Sequence, residues 1–263
     1  MIFLVIFGIM PNEKSPVLTV VTVCFNDAPA VRRTLKSVAE QGDIPIQHVV
    51  VDGGSGDGTQ ALLAGWKEHP IEWVSEADKG IYDAMNKGAA RARGQFLQFL
   101  NAGDVYTSDS ALVVALERLT AEPMVDVLFG GANYMNARGR RTYRAPKRVE
   151  SYIWHGLPAI HQATFYRAAV FVPYSEEFRI CGDYFEIATL WKRGVEAGYL
   201  NTAVVDFMLG GISYQKPWLL IREAARVQRN VLGMHELLIW LSAGRRIVAR
   251  VGAFLVFSAP GRG

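Results

Sequence analysis

Short β-branched runs alternate with amphipathic stretches through the first half of the chain. Residues 17–25 are rich in Val and Thr and predict a strand buried on both faces. Asp27 can cap a helix over 28–41, with Pro29 tolerated in its first turn. The alternation continues with a strand at 48–52, a helix at 59–67 and a strand at 71–75. A helix over 82–93 and a strand over 96–100 follow. Ile81, Met85 and Ala89 recur at helical spacing, and Ala84 and Ala92 are small enough to let that helix sit close to a sheet. Right-handed crossovers then place the first four strands in a largely parallel α/β sheet covered by helices. Past a helix at 108–119 and a strand at 125–130 the texture changes. Residues 131–148 are polar and rich in Arg and Tyr, and Asn136-Ala-Arg-Gly resembles a hairpin turn. Residues 163–166 return to the sheet, 184–193 predict a helix, 199–207 a strand, and long amphipathic helices begin at Pro217.

This pattern divides the chain into an N-terminal extension (1–16), one α/β domain (17–216) and a C-terminal helical segment (217–263). With 263 residues, half of them hydrophobic, one sizeable core is affordable. Residues 1–10 are almost wholly apolar but lack a basic leader, and they are shorter than the roughly 20 residues a membrane-spanning helix needs. They read as a loosely attached extension, with weak membrane contact as the alternative and Met10 a candidate start. The 28 basic and 25 acidic residues are too balanced for general nucleic-acid binding. The basic excess falls late, at Arg222, Arg226, Arg229, Arg245, Arg246, Arg250 and Arg262. Only Cys24 and Cys181 are present, which argues against a disulfide framework or a structural zinc site and fits a reducing cytoplasm.

Two stretches carry candidate chemistry. Asp52-Gly-Gly-Ser-Gly-Asp-Gly-Thr is a strand-ending acid followed by a glycine-rich turn; it supplies neither the three glycines of a dinucleotide fingerprint nor a Walker pattern. An acid there can accept from a base imide or a ribose while the glycines let backbone approach a nucleotide. In Glu76 to Asp104, a loop, a helix and a strand end on Asn101-Ala-Gly-Asp104. Asp104 thus stands in a solvent-facing loop beyond a strand's carboxyl end, where open α/β sheets bind ligands and a carboxylate can hold a divalent metal.

Together with Asn26 after the first strand, Glu76-x-Asp-x-Gly-Ile-Tyr-Asp-Ala-Met-Asn-Lys-Gly, Phe99-Leu-Asn-Ala-Gly-Asp and Cys181-Gly-Asp-Tyr, these motifs resemble a bacterial family 2 glycosyltransferase over roughly residues 17–213. The likeness is greatest to the branch that builds cell-surface polysaccharides and glycolipids. The resemblance implies a GT-A fold, a nucleotide-diphosphate sugar as donor, Mg or Mn, and inversion at the anomeric carbon. It gives Asn26 and Asp52 to the nucleotide pocket and Asp78, Lys79 and Gly103 to donor binding. Asp104 then goes to the metal with His161 as a second candidate, and Asp183 becomes the catalytic base, where the alternative is a first-turn helix acid. Two departures stand out: the family's common Asp-Asp is Asp52-Gly53 here, and its Asp-x-Asp is reduced to Asn101-Ala-Gly-Asp104. Lys87 and Arg93 could also neutralise a diphosphate, and Gly210-Gly-Ile-Ser213 resembles an acceptor-side lid.

After residue 237, Leu238, Leu241, Ile247, Val248, Val251 and Phe254 lie among Arg245, Arg246 and Arg250 with Trp240. Core packing or self-association explains the apolar stripe; a helix on an anionic membrane surface explains the arginines as well. The expected enzyme is cytoplasmic, with peripheral contact at the inner face of the cytoplasmic membrane as an option, and its acceptor is a glycan or lipid-linked hydroxyl. The rival readings are a non-catalytic nucleotide- or glycan-binding partner and a sugar nucleotidyltransferase.

Overall fold

The computed structural model describes residues 15–135, 139, 141–211 and 215–258. Residues 1–14 of the expected N-terminal extension, residues 136–138 of the expected turn and the end of the expected lid at Ile212 and Ser213 therefore lie outside the described residues. The first half alternates as the pattern predicts: β1 (Leu18–Cys24), α1 (Ala28–Ala39), β2 (Ile46–Asp52), α2 (Thr59–Ala64), β3 (Glu72–Ser75), α3 (Ile81–Ala89) and β4 (Phe96–Phe99). Then follow β5 (Val105–Tyr106), α4 (Ala111–Ala121), β6 (Val127–Met135), β7 (Arg141–Arg144), α5 (Val149–Tyr152), β8 (Thr164–Arg167), α6 (Gly182–Lys192), β9 (Ala197–Met208), α7 (Pro217–Asn230) and α8 (Glu236–Ser258).

The strands form one sheet in the order β3-β2-β1-β4-β8-β6-β9-β5, with β7 on β6. As expected, β1 pairs in parallel with both β2 and β4, and β2 with β3. In the polar stretch after residue 130, β6 runs on past its expected end to Met135 and pairs antiparallel with β7, from Ala132↔Arg144 to Met135↔Arg141, so that the two strands flank the expected hairpin turn. Burial falls off along β6 from Val127 to Met135, which is why the hydrophobic pattern gave out before the strand did.

Close packing of α3 on the sheet is secured at a position the pattern did not single out. A Cβ at Gly88 would meet Val21 Cγ1 at 2.3 Å, so only a glycine lets this helix seat on β1. The direction of the strands then decides where a site can form. β8 runs antiparallel to β4, so its leading residues His161 and Gln162 come to the same rim as the carboxyl ends of β1 to β4. β6 and β9, parallel to each other, end at that rim, and antiparallel β5 begins there with Asp104 just before it.

The C-terminal segment packs α7 on α6 and α8 on α7. In α8, Ile239 and Ser242 face inward, whereas Leu238, Trp240, Leu241, Ile247 and Val248 are exposed. The side chains of Arg250, Val251 and Phe254 and the position of Arg262 lie outside the described residues. Among the described residues, no helix is long and apolar enough to cross a membrane.

Candidate active site

Three loops at the ends of β1, β2 and β3 interlock. Asn26 adopts a left-handed backbone (φ 50°), a conformation Asn tolerates better than most residues. Its N–H donates to Ser55 Oγ at 2.7 Å and its Oδ1 accepts from Gly56 N at 2.8 Å. Asp57 accepts from Ala28 N, Thr59 N and Thr59 Oγ1, fastening the second loop to both α1 and α2. Asp52 is fully buried, and each of its oxygens is already committed: one to Cys24 Sγ and Ser55 Oγ, the other to Ser55 N at 3.0 Å and Ser75 Oγ at 2.6 Å. Burial pushes its carboxyl up, but the hydrogen bonds from Ser55 and Ser75 outweigh this and hold it below the usual range.

Beside this knot lies Asp78. Its Oδ1 accepts from Gly80 N at 2.9 Å, while its Oδ2 stands 2.5 Å from where a Cβ on Gly53 would be. The departure at Gly53 thus has a structural meaning: the space that a side chain at 53 would enter is filled by the carboxylate of Asp78. The same built Cβ is 3.2 Å from the ring of Phe25, which is 62 % exposed at the end of β1. An exposed ring at a buried strand's end is the signal that could have drawn attention to Phe25 in the sequence.

The expected cations are all engaged. Lys79 Nζ pairs with exposed Glu176 at 3.0 Å. Lys87 ties the loop to α3 through Ala77 O, Glu76 and Asp83. Arg93 pairs with Glu72, the first residue of β3, and so sits at the opposite end of the sheet.

Asp104 is only 4 % exposed, which corrects its expected place in a solvent-facing loop. Thr34 Oγ1 donates to its backbone oxygen, and Met208 N donates to its Oδ1 at 3.1 Å, so α1 and β9 close over it. Burial pushes its carboxyl up to about 7, against hydrogen bonds from Met208 N and Gln162. Gly103 precedes it with φ 99° and donates its N–H to Thr34 Oγ1. Asn101 Oδ1 is buried with no donor. Among the described residues no three His, Cys, Asp or Glu cluster as a metal cage. One carboxylate and one orphaned amide oxygen nevertheless fit a hard divalent cation that takes its other ligands from phosphate and water. His161 is neutral, its imidazole pushed down to about 3 by burial. Its Nε2 is hydrogen-bonded to Tyr174 Oη and its ring stacks on Phe99, so Tyr174 occupies one of its two ring nitrogens.

Asp183 is the second residue of α6 and lines a cleft of about 550 Å³ with Asn101, His161, Gln162, Tyr134 and Arg246. Its Oδ1 accepts from Tyr184 N at 2.8 Å and faces Tyr82 Oη at 3.0 Å. Tyr82 Oη also lies 2.7 Å from Ile180 O. One phenolic proton cannot serve both acceptors well, so the ionised carboxylate is incompletely satisfied; a protonated Asp183 could instead donate to Tyr82. Burial, the dominant effect, pushes the Asp183 carboxyl up to about 6.

Sequence reasoning missed what holds this loop. Glu223 of α7, 3 % exposed, accepts from Arg179 N, Ile180 N at 2.8 Å and Cys181 N at 3.0 Å. A glutamate in an amphipathic helix reads as a solvated charge; here it gathers three successive backbone N–H groups immediately before Asp183.

A mostly parallel sheet with its loops and cleft gathered on one rim defines an α/β protein whose candidate site lies at the strands' carboxyl ends. More narrowly, the chain belongs to glycosyl transferase family 2, which it matches over residues 19–179. It is a glycosyltransferase. It is 34 % identical over 175 residues, 65 % of its length and 67 % of the relative's, to an uncharacterized glycosyltransferase of Mycobacterium tuberculosis. A PGL/p-HBAD biosynthesis glycosyltransferase of the same organism is 28 % identical over 218 residues, covering 76 % of this chain and 80 % of that one. The mannosyltransferase PcManGT from Pyrobaculum calidifontis, solved with GDP-Man and Mn2+, superposes with a TM-score of 0.67 at 16 % identity, covering 98 % of this chain and 79 % of that one. TarS residues 1–349 from S. aureus, solved with UDP-GlcNAc, gives 0.65 at 16 % identity over 91 % and 73 %. Both structures share the GT-A fold with this chain.

Proposed function

We propose that this chain is an inverting, metal-assisted glycosyltransferase that moves a sugar from a nucleotide-diphosphate donor to a hydroxyl of a glycan or lipid-linked acceptor. The observation that carries the reading is Asp183, a half-buried carboxyl at the head of α6, lining the cleft with its proton affinity raised toward neutrality. Direct displacement at the anomeric carbon needs a base that takes the acceptor proton as oxygen attacks, and a carboxyl titrating near the working pH suits that role. Fold-level likeness to proteins holding UDP-GlcNAc and GDP-Man supports the donor class.

In this reading residues 17–216 form the catalytic domain. The interlocked loops of Asn26 and Asp52 shape the nucleotide pocket, Phe25 offers its ring to the base, and the free oxygen of Asp78 accepts from base or ribose. Asp104 and Asn101 Oδ1 would hold Mg or Mn, which would supply charge neutralisation for a diphosphate leaving group. Gly103 brings backbone close to the donor, Lys79 exchanges Glu176 for phosphate, and His161 keeps the cleft wall in place through Tyr174. Residues 217–263 add α7 and α8, whose exposed Leu238, Trp240, Leu241 and Val248 with Arg245 support contact with an anionic membrane face.

The test is a panel of nucleotide sugars scored for Mg- or Mn-dependent thermal stabilisation and slow donor hydrolysis by the full chain. Asp183→Asn is expected to keep donor binding and to lose transfer by roughly 100- to 10,000-fold. Near-normal turnover in that variant would remove the base assignment, and stabilisation by no donor would remove the donor class.

A further inference from the structure

The cleft wall on the side away from the donor loops carries two positive charges that the reaction does not require. Arg179 reaches it from the loop before α6, and Arg246 from α8. Among the described residues, Asp183 is the one acidic residue lining the cleft with them. Among the described residues neither arginine lies within ion-pair distance of a carboxylate, although neighbours do: Arg226 pairs with Glu177 and Arg229 with Glu236. Arg246 is fixed rather than free. It donates to His155 O, stands 5.9 Å from the centre of the Tyr184 ring, and its Nη1 is buried without an acceptor.

A partly buried guanidinium held by a single carbonyl bears the cost of desolvation without a compensating charge. Arginine presents a planar fork that matches an oxyanion in two-point contact. Arg246 and Asp183 line the same cleft, so an anion gripped by Arg246 shares that cleft with the hydroxyl that Asp183 would deprotonate. Building on the glycosyltransferase reading above, we propose that Arg246, seconded by Arg179, selects an acceptor that carries an oxyanion, a phosphate or a carboxylate, next to the accepting hydroxyl. A neutral glycan end would leave Arg246 uncompensated. The supply side follows: the acceptor must come from a reaction that installs a phosphoryl or uronate group before this transfer.

The experiment titrates the full chain, saturated with Mn and with whichever of UDP, GDP or dTDP stabilises it, with three probes: a hexose, the matching hexose 1-phosphate and the matching hexuronate. Occupying the donor side with nucleoside diphosphate keeps the phosphate probe out of it. The anionic probes are expected to bind about 10- to 100-fold more tightly than the hexose, as a charge-assisted contact requires. Preference for the phosphate alone would assign a phosphorylated acceptor; equal preference for both anions would assign an oxyanion in general. Arg246→Gln should erase the preference while leaving nucleoside-diphosphate affinity unchanged, and Arg246→Lys should restore part of it. Arg179→Gln, at an exposed position, should reduce it severalfold without a fall in melting temperature even if position 246 proves necessary for folding. No difference among the three probes, including no binding of any, overturns the proposal while leaving the donor reading intact; failure of every nucleoside diphosphate to stabilise the protein would instead overturn that reading.

Discussion

A single methyl group added at Gly53 should displace Asp78 without deleting it. The new Cβ would fall 2.5 Å from Asp78 Oδ2, well inside contact distance, and 3.2 Å from the ring of Phe25. The backbone at 53 is not in the left-handed region, so alanine is sterically permitted there. Asp78 can yield, because only its Oδ1 is held, by Gly80 N. The cost to folding should therefore stay within about 1 kcal/mol. Donor binding is a different matter. If Oδ2 accepts from the base or ribose, losing a hydrogen bond to a charged acceptor removes about 1.5–3 kcal/mol, or roughly a 10- to 150-fold rise in Kd. Calorimetry with the preferred donor on wild type, Gly53→Ala, Asp78→Ala and the double variant makes a double-mutant cycle. Both single changes act on one carboxylate, so the double variant should bind no worse than Asp78→Ala. Additive losses would show that Gly53 contributes through the backbone instead, and wild-type affinity in Gly53→Ala would take Asp78 out of the donor site.

Donor hydrolysis or transfer should rise with pH through about 6, because the base works ionised, falling about tenfold per unit below that; Asp183→Asn should abolish this limb, and a flat wild-type profile from 5 to 7.5 would count against the assignment. Glu223→Ala should strip three backbone N–H groups of their acceptor and lower both melting temperature and turnover, with Glu223→Gln recovering part of each; turnover unchanged at a lowered melting temperature would make Glu223 purely structural. Buried His48, linked to Thr22 and His69, is pushed down to about 3 by burial, then by His69. Its folded value lies below the unfolded one near 6.5, so it contributes stability that is present above 6.5 and is lost as pH falls, about 2 kcal/mol between pH 7 and 5; denaturant titrations should show a shallower pH slope in His48→Gln, and identical slopes would refute this.

What could be read from the chain, and what could not, divides along physical lines. The β1–α1–β2–α2–β3–α3–β4 half was legible because β1, β2 and β4 are buried apolar runs, Asp27 caps α1, and the connections are short; β3, at the sheet edge and partly exposed, was placed by the alternation around it. The second half was legible only in outline, since β6 extends into half-exposed, polar sequence and its pairing with β7 depends on a partner several residues away. Motif residues fell at the expected rim, yet their environments were hidden. Nothing local announces that Asp104 is covered by Met208, that Asp52 spends both oxygens on its own loops, or that Gly53 yields its space to Asp78. Glu223 was unreadable because its partners are backbone groups more than 40 residues away.

Buried Asp104 and half-buried Asp183 share desolvation as the cause of their raised proton affinity but differ in the remedy available. Asp104, at about 7, follows Asn101, whose buried side-chain oxygen has no donor, by three residues, and a divalent cation is a group that would relieve it. Asp183, at about 6, has phenol and backbone donors around it. Loading the metal should therefore drive Asp104 to its ionised form at neutral pH while leaving Asp183 near the point where it can take up a proton. Without metal, both carboxyls have folded values above their unfolded ones and contribute stability that grows as pH falls below about 7 and is lost as it rises. That trend opposes the histidine effect, which is why the latter is sought as a difference between variants rather than in the wild-type slope. With metal bound, the Asp104 contribution vanishes from the pH dependence, and the acid limb of turnover reports Asp183 alone.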